Sequence, residues 1–82
     1  MAKRAVPKRL ARKLLAIRTN AGLSQAEFVK ALKHRATPLR ASQISNFEQG
    51  KREPNLMQLL AYARFADVPV ETLIDDKLDL PR

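Results

Sequence analysis

The sequence predicts an all-α domain, a compact bundle of about five short helices, and three observations predict it. Apolar residues recur at helical spacing, beginning with Leu10, Leu14, Ile17 and Ala21 at i, i+4, i+7 and i+11. Glycines and capping residues (Gly22, Ser24, Gly50, Asn55) fall where those stripes stop and restart. No stretch sustains the alternation of a half-buried strand. With 82 residues and no cysteine, the chain has room for one modest core and no disulfide to brace it.

Each element has its own signal. Val6 and Pro7 suit a helix entry, since proline in the first turn gives up an N–H that has no partner there. Lys8, Arg9, Arg12, Lys13 and Arg18 fill the surface around the first stripe, and Gly22, tolerant of positive φ, closes it. Ser24-Gln25-Ala26-Glu27 has the form of a capping box, with Leu23 placed to staple onto Phe28. Phe28, Val29 and Leu32 give the second helix its apolar face, and its end is expected near His34. The third helix starts either at Pro38, with Thr37 as N-cap, or near Ala41. Ile44 and Phe47 are its inward residues; Ser42, Gln43, Ser45, Asn46 and Gln49 occupy the remaining surface, and Gly50 ends it. Asn55 is placed to cap a fourth helix with Leu56, Leu59, Leu60 and Ala63 as its stripe and Tyr62 and Phe65 adding bulk. Asp67 to Pro69 breaks that helix, and Val70, Leu73 and Ile74 suggest a short fifth. The expected organisation is a basic arm over residues 1–7, the helical domain over 8–74 and an acidic, irregular tail over 75–82.

Charge points to a class of partner. Sixteen Lys and Arg against eight Asp and Glu leave a net charge of +8. Eleven of those bases lie in residues 1–40 beside a single acid, Glu27, while residues 41–82 are mildly acidic. Such a field attracts polyanions, nucleic acid first and an anionic membrane surface second. Fully apolar runs are short, as at Leu14 to Ile17, and none spans a bilayer or serves as a signal peptide core. The Arg-rich opening has the composition of a transit peptide, but its helix is needed for the core. A single histidine and no cysteine exclude multi-histidine and thiolate metal sites. His34 has no orienting partner or nucleophile beside it in a basic loop, so no catalysis is expected. Asp75, Asp76 and Asp79 lack the glycine turn and terminal glutamate of a calcium loop, and no cofactor or metal is expected.

Ser24-Gln25-Ala26-Glu27-Phe28, followed by Ile44-Ser45-Asn46-Phe47-Glu48-Gln49-Gly50-Lys51-Arg52-Glu53-Pro54, resembles the Cro/XRE-type helix-turn-helix family, which has the lambda repressor-like fold. The resemblance covers roughly residues 10–74. It implies sequence-specific binding of double-stranded DNA, with helix three in the major groove. By position, the base-reading residues would be Ala41, Ser42 and Asn46, with Gln43 and Ser45 near the edge. Asn46 is suited to an adenine edge, Ser42 to either strand's bases and Ala41 to a thymine methyl, although relatives often carry longer polar side chains where Ala41 stands. Gln25 matches the glutamine that holds a phosphate at the start of helix two. Lys51 and Arg52 match the loop that lies along the sugar–phosphate backbone. Arg18 and Glu48 match an ion pair tying helix one to helix three.

The chain departs from the family in one respect. Gln25 and Glu48 stand 23 positions apart where about eighteen is usual, so the helix 2–helix 3 turn is lengthened. The additional residues fall among Lys33 to Arg40, where Lys33, His34, Arg35 and Arg40 either add phosphate contacts or line a passive solvated loop. Ala2 to Arg4 form either an arm on DNA or a disordered basic tail.

A bacterial or phage-type transcriptional regulator in the nucleoid follows as the expectation. One domain covers half a site, so a homodimer is the default, with Val70, Leu73 and Ile74 or the tail as its surface. The alternative is an antitoxin or phage-control component whose acidic tail binds a partner protein. A membrane-surface role is disfavoured because helix one lacks interfacial aromatics and its apolar stripe is needed inside. RNA binding is disfavoured by the absence of an aromatic stacking platform on helix three.

Overall fold

In the computed structural model, described over residues 7–32 and 39–81, α1 (Leu10–Asn20) buries Leu10, Lys13, Leu14 and Ile17. These are the i, i+3, i+4 and i+7 positions of one helical face. Ala21, expected to continue the stripe, is instead the exposed C-cap. The helix is already turning out at that point, with Gly22 at φ 73° donating its N–H to Thr19 O at 3.0 Å.

α2 (Gln25–Leu32) starts on the capping box read from the sequence. Ser24 N–H donates to Glu27 Oε1 at 2.8 Å, and Glu27 N–H donates to Ser24 Oγ at 3.1 Å. Leu23, at the staple position, packs against the core that contains Phe28. The expected end near His34 lies outside the described residues, as do Thr37 and Pro38.

α3 (Ala41–Glu48) takes the later of its two expected starts. Arg40 is extended, at φ −112° and ψ 152°, and its N–H donates to Gln43 Oε1 at 2.8 Å. Leu39, which the sequence reading passed over, is buried in the core with Ile44. The pair occupies the two staple positions flanking this helix start, which fixes the boundary at Ala41.

α4 (Leu56–Ala66) begins on Asn55, whose Oδ1 accepts from Gln58 N–H at 2.8 Å while Gln58 Oε1 accepts from Asn55 N–H at 2.8 Å. Its inward face is Gln58, Leu59, Ala61, Tyr62 and Ala63. Leu56, expected in the stripe, is 83% exposed. It is the first helical residue, ahead of the turn that meets the core. α5 (Val70–Ile74) packs on α4 and α1, with Leu73 wholly buried. Leu73 is therefore core and cannot contribute to a dimer surface as expected.

The centre is formed by Leu14, Phe28, Leu32, Ile44, Tyr62 and Leu73, all fully buried. Phe28 is the hub, its ring 5.0 Å from that of Tyr62 and 5.0 Å, edge-on, from that of Phe65. α1 lies against α3, α4 and α5, and α2 lies against α3 and α4, so α3 rests on both N-terminal helices. Among the described residues every regular element is helical.

Two charged side chains have roles that composition concealed. Lys13 is only 4% exposed, and its ammonium donates to Thr72 O at 2.8 Å and Asp75 O at 2.9 Å, closing the C-terminal end of α5. Asp76 closes the other end of the same junction: its two oxygens accept the N–H groups of Lys8 and Arg9, each at 3.0 Å. α1 has no side-chain cap from its own N-cap residue, Arg9, and the entry to the helix is held instead from the C-terminal segment.

Candidate nucleic-acid interface

α3 is divided lengthwise. Ile44 and Phe47 are buried, Ala41, Gln43, Ser45 and Asn46 are half-buried, and Ser42 is exposed. Ser42 and Asn46 are one turn apart and share a face. Their neighbours are committed in part to the helix itself. Gln43 spends its carbonyl oxygen on Arg40 N–H, and Ser45 Oγ accepts from Gln49 Nε2 at 2.6 Å. Ser42 and Asn46 make no such side-chain bond among the described residues, which leaves them the outward hydrogen-bonding groups of this helix.

Positive charge flanks both ends. Arg40 precedes α3 and is exposed; Lys51 and Arg52 follow it and are exposed. The latter two are fixed by their backbone, because Lys51 N–H and Arg52 N–H both reach Asn46 O, at 3.0 and 3.4 Å. Gly50, at φ 73°, permits the tight reversal that returns those amides to the helix. Gln43, Asn46, Arg52, Asn55 and Gln58 line one shared hollow between α3 and the start of α4. The sequence marks Asn55 only as a cap and gives Gln58 no role, and nothing local in it signals their place beside Asn46. Lys33, Arg35 and His34 lie outside the described residues, as does the arm over residues 1–6.

Beneath α3 lies a polar cluster that holds it. Arg18 Nε donates to Glu48 Oε2 at 2.6 Å and Arg18 Nη2 to Glu48 Oε1 at 3.0 Å, a two-point ion pair between α1 and the last residue of α3. Arg18 Nη1 also donates to Leu23 O at 2.9 Å, so one guanidinium joins α1, the α1–α2 turn and α3. Glu48 raises the Arg18 guanidinium above its ordinary pKa, chiefly through that hydrogen bond. Gln25 Nε2 donates to Glu48 Oε1 at 3.1 Å, which sets the orientation of the half-buried amide that opens α2. Tyr62 completes the floor. Its hydroxyl is buried without a hydrogen-bond partner among the described residues, and desolvation drives its pKa far up, so it stays protonated.

A recognition surface can hence be assembled from one half-exposed helix, two amide or hydroxyl side chains on its outer face and cations at either end. No three His, Cys, Asp or Glu side chains among the described residues gather into a metal-holding group, and no helix there is long and apolar enough to cross a membrane.

Comparison with known proteins bears on the family and the fold. A family model described as a helix-turn-helix domain matches residues 11–78, well over half of the chain. The match takes in α2, the turn, α3 and both partners of the Arg18–Glu48 pair. No curated protein and no solved structure matches. Such domains bind DNA, with the second helix of the motif in the groove. The chain belongs to the helix-turn-helix domain family, in its Cro/XRE-type form.

Proposed function

We propose that the domain is a sequence-specific regulator of transcription, of bacterial or phage type and nucleoid-associated, in which α3 reads the major groove. The observation that carries this reading is the division of α3: Ile44 and Phe47 anchor one side in the core, while Ser42 and Asn46 face out between Arg40 and the Lys51–Arg52 turn. In this reading Asn46 pairs with an adenine edge and Ser42 with a neighbouring base; Ala41, Gln43 and Ser45 border that contact. Gln25, Arg40, Lys51 and Arg52 hold phosphates and fix the register, joined by Lys33 and Arg35 from the lengthened turn. The Arg18–Glu48 pair sets the angle of α3 and touches no DNA.

A homodimer on a palindromic site is part of the proposal, because one such domain covers a half-site. Ile74 is exposed and Val70 half-buried, so either remains available to that contact. The partner-protein alternative gains no support from the acidic segment, since Asp76 caps α1 and Asp79 pairs with Arg9.

Fluorescence anisotropy with a randomised duplex pool, titrated over salt and followed by sequencing of the bound fraction, tests the reading. The expected result is a steep salt slope and an enriched palindrome, with Asn46→Ala relaxing one position in each half-site. A steep slope with no enriched sequence would reduce the domain to a non-specific DNA coat.

A further inference from the structure

The first turn of α1 does not lie on the far side of the molecule from the α3–α4 turn. Pro7, Lys8 and Ala11 line one hollow together with Gly50, Arg52 and the acidic Glu53. The approach is close: a side-chain carbon added at Gly50 would sit 3.9 Å from Ala11 Cβ. Lys8, 43 positions before Lys51 in the sequence, therefore borders the same turn as the two cations assigned above to the DNA backbone.

The neighbouring bases at this corner have different fates. Arg9 turns to the C-terminal segment, donating from Nη1 to Asp76 O at 2.7 Å and pairing through Nη2 with Asp79. Lys13 is buried on the carbonyls of α5. The ammonium of Lys8 is exposed and has no ion-pair partner among the described residues. Its backbone, by contrast, is fixed, because Lys8 N–H and Arg9 N–H are both held by the Asp76 carboxylate. That carboxylate lies below its ordinary value, owing to these two amides in that order, which favours the ionised form that holds them.

We propose that Lys8 is a phosphate contact continuing the Lys51–Arg52 backbone track, and that Asp76 acts as its positioning residue by fixing the turn that leads into α1. The proposal rests on the DNA-binding reading and extends the footprint to a helix outside the helix-turn-helix unit. It also assigns an acidic residue a favourable part in binding a polyanion. Simple charge counting gives the opposite sign, since removing Asp76 makes the protein more positive and should tighten binding.

The test uses the full chain and a fixed duplex, with affinity measured across salt for the parent, Lys8→Gln, Lys8→Arg, Asp76→Ala and the double variant Lys8→Gln/Asp76→Ala. One lost phosphate contact lowers the slope of log affinity against log salt by about 0.9. Lys8→Gln should show that drop, and Lys8→Arg should restore the parent slope. Asp76→Ala should show most of the same drop despite its added positive charge. The double variant should lose no more than Lys8→Gln alone. A destabilised but otherwise competent Asp76→Ala protein would lower the active fraction and leave the slope unchanged, which would overturn the positioning role. A parent slope retained by Lys8→Gln, an exposed substitution that leaves the fold intact, would overturn the Lys8 contact while the DNA-binding reading stood. Failure of the parent to bind duplex at low salt would overturn both.

Discussion

The starts of α2 and α4 differ from the start of α1 in where the closing residues come from. Ser24 with Glu27 and Asn55 with Gln58 are reciprocal boxes built from residues three apart, and in each the N-cap N–H is held at 2.8 Å by the side chain one turn on. α1 has no acceptor at its own N-cap, Arg9, and the amides of Arg9 and of Lys8 before it are held by Asp76, 67 and 68 positions away. A local box costs little chain entropy to close and forms as its helix forms. A remote one exists only when both ends of the chain are in place. The domain is thus assembled from helices with locally specified starts, α2 and α4, tied together by long-range polar contacts around α1. Three such ties, Arg18–Glu48, Lys13 to α5, and Asp76 to the entry turn, all have α1 or its entry as one partner.

Removing a remote tie should therefore cost more than removing a local cap. The largest effect is expected for Glu48→Ala. It leaves the part-buried Arg18 guanidinium, 15% exposed at its side chain, without its counter-charge, which costs about 3 kcal/mol, the low end of the range for breaking a buried pair. Urea denaturation should show the midpoint fall by the corresponding amount, enough to leave a domain of this size only marginally folded. Replacing both partners by apolar residues should recover much of that loss, which separates the stranded charge from the value of the pair itself. Lys13→Met should come next, at about 1–3 kcal/mol, because the methionine keeps the buried stem but leaves Thr72 O and Asp75 O without their donor. Asn55→Ala, which removes one local cap, should cost about 0.5–2 kcal/mol. If the cap proved costlier than either tie, the contrast between local and remote closure would fail.

The same division decides what could be read in the sequence. The Ser24–Glu27 box, the Asn55 cap, the α2 face and the anchoring of α3 by Ile44 and Phe47 follow from local patterns, and the structure has them, adding Gln58 as the second half of the α4 box. The ion-pair partners Arg18 and Glu48, 30 positions apart, came from the family resemblance and not from spacing. Lys13 was within reach, since it sits three residues after Leu10 and one before Leu14 on the same face, but its charge argued for solvent. What reverses that argument is a pair of carbonyls some sixty positions on, which no local pattern announces. Leu56 failed in the other direction: it fits the apolar spacing of α4 yet sits at the first helical position, where the core has not begun. The site shows the same limit. The outward residues of α3 were legible, whereas Lys8 beside Arg52 and Asn55 beside Asn46 arise from packing between elements.

Acid should expose the two kinds of closure separately, with smaller effects. Glu27 lies below its ordinary value of 4.5, first because Ser24 N–H donates to it and then because of the Ser24 hydroxyl; Asp76 lies below 3.8 because of the Lys8 and Arg9 amides. Both are carboxylates depressed by folding. Their stabilising contributions are complete above those ordinary values and are lost as pH falls through the lower folded ones. Stability measured by denaturation at a series of pH values should decline on the acid side. Glu27→Gln should flatten the part of the decline that begins near 4.5, and Asp76→Asn the part that begins near 3.8. An acid limb unchanged in Asp76→Asn would mean that the remote cap contributes nothing to stability.

The smallest effect is expected at the helix start that fits neither class. α3 has half a box: Gln43 holds Arg40 N–H at 2.8 Å, but a guanidinium has only donors and cannot accept from Gln43 N–H in return. That amide instead donates to Arg40 O at 2.9 Å, a backbone bond that partly satisfies it. Arg40→Ser supplies the missing acceptor and should stabilise the domain, by about 0.5 kcal/mol, at the low end of the capping range because the amide is not wholly unpaired. If Arg40 is also a phosphate contact, the same substitution should lower the salt slope of DNA binding by about 0.9. Opposite signs in the two measurements would identify Arg40 as a residue kept at a helix start for its charge against the local preference, as functional sites do. A gain in stability with an unchanged slope would remove Arg40 from the interface and leave the unfinished box without a functional reason. A loss of stability would show that the Arg40 side chain supports the turn before α3, and the comparison between capped and half-capped helices would then have to include that support.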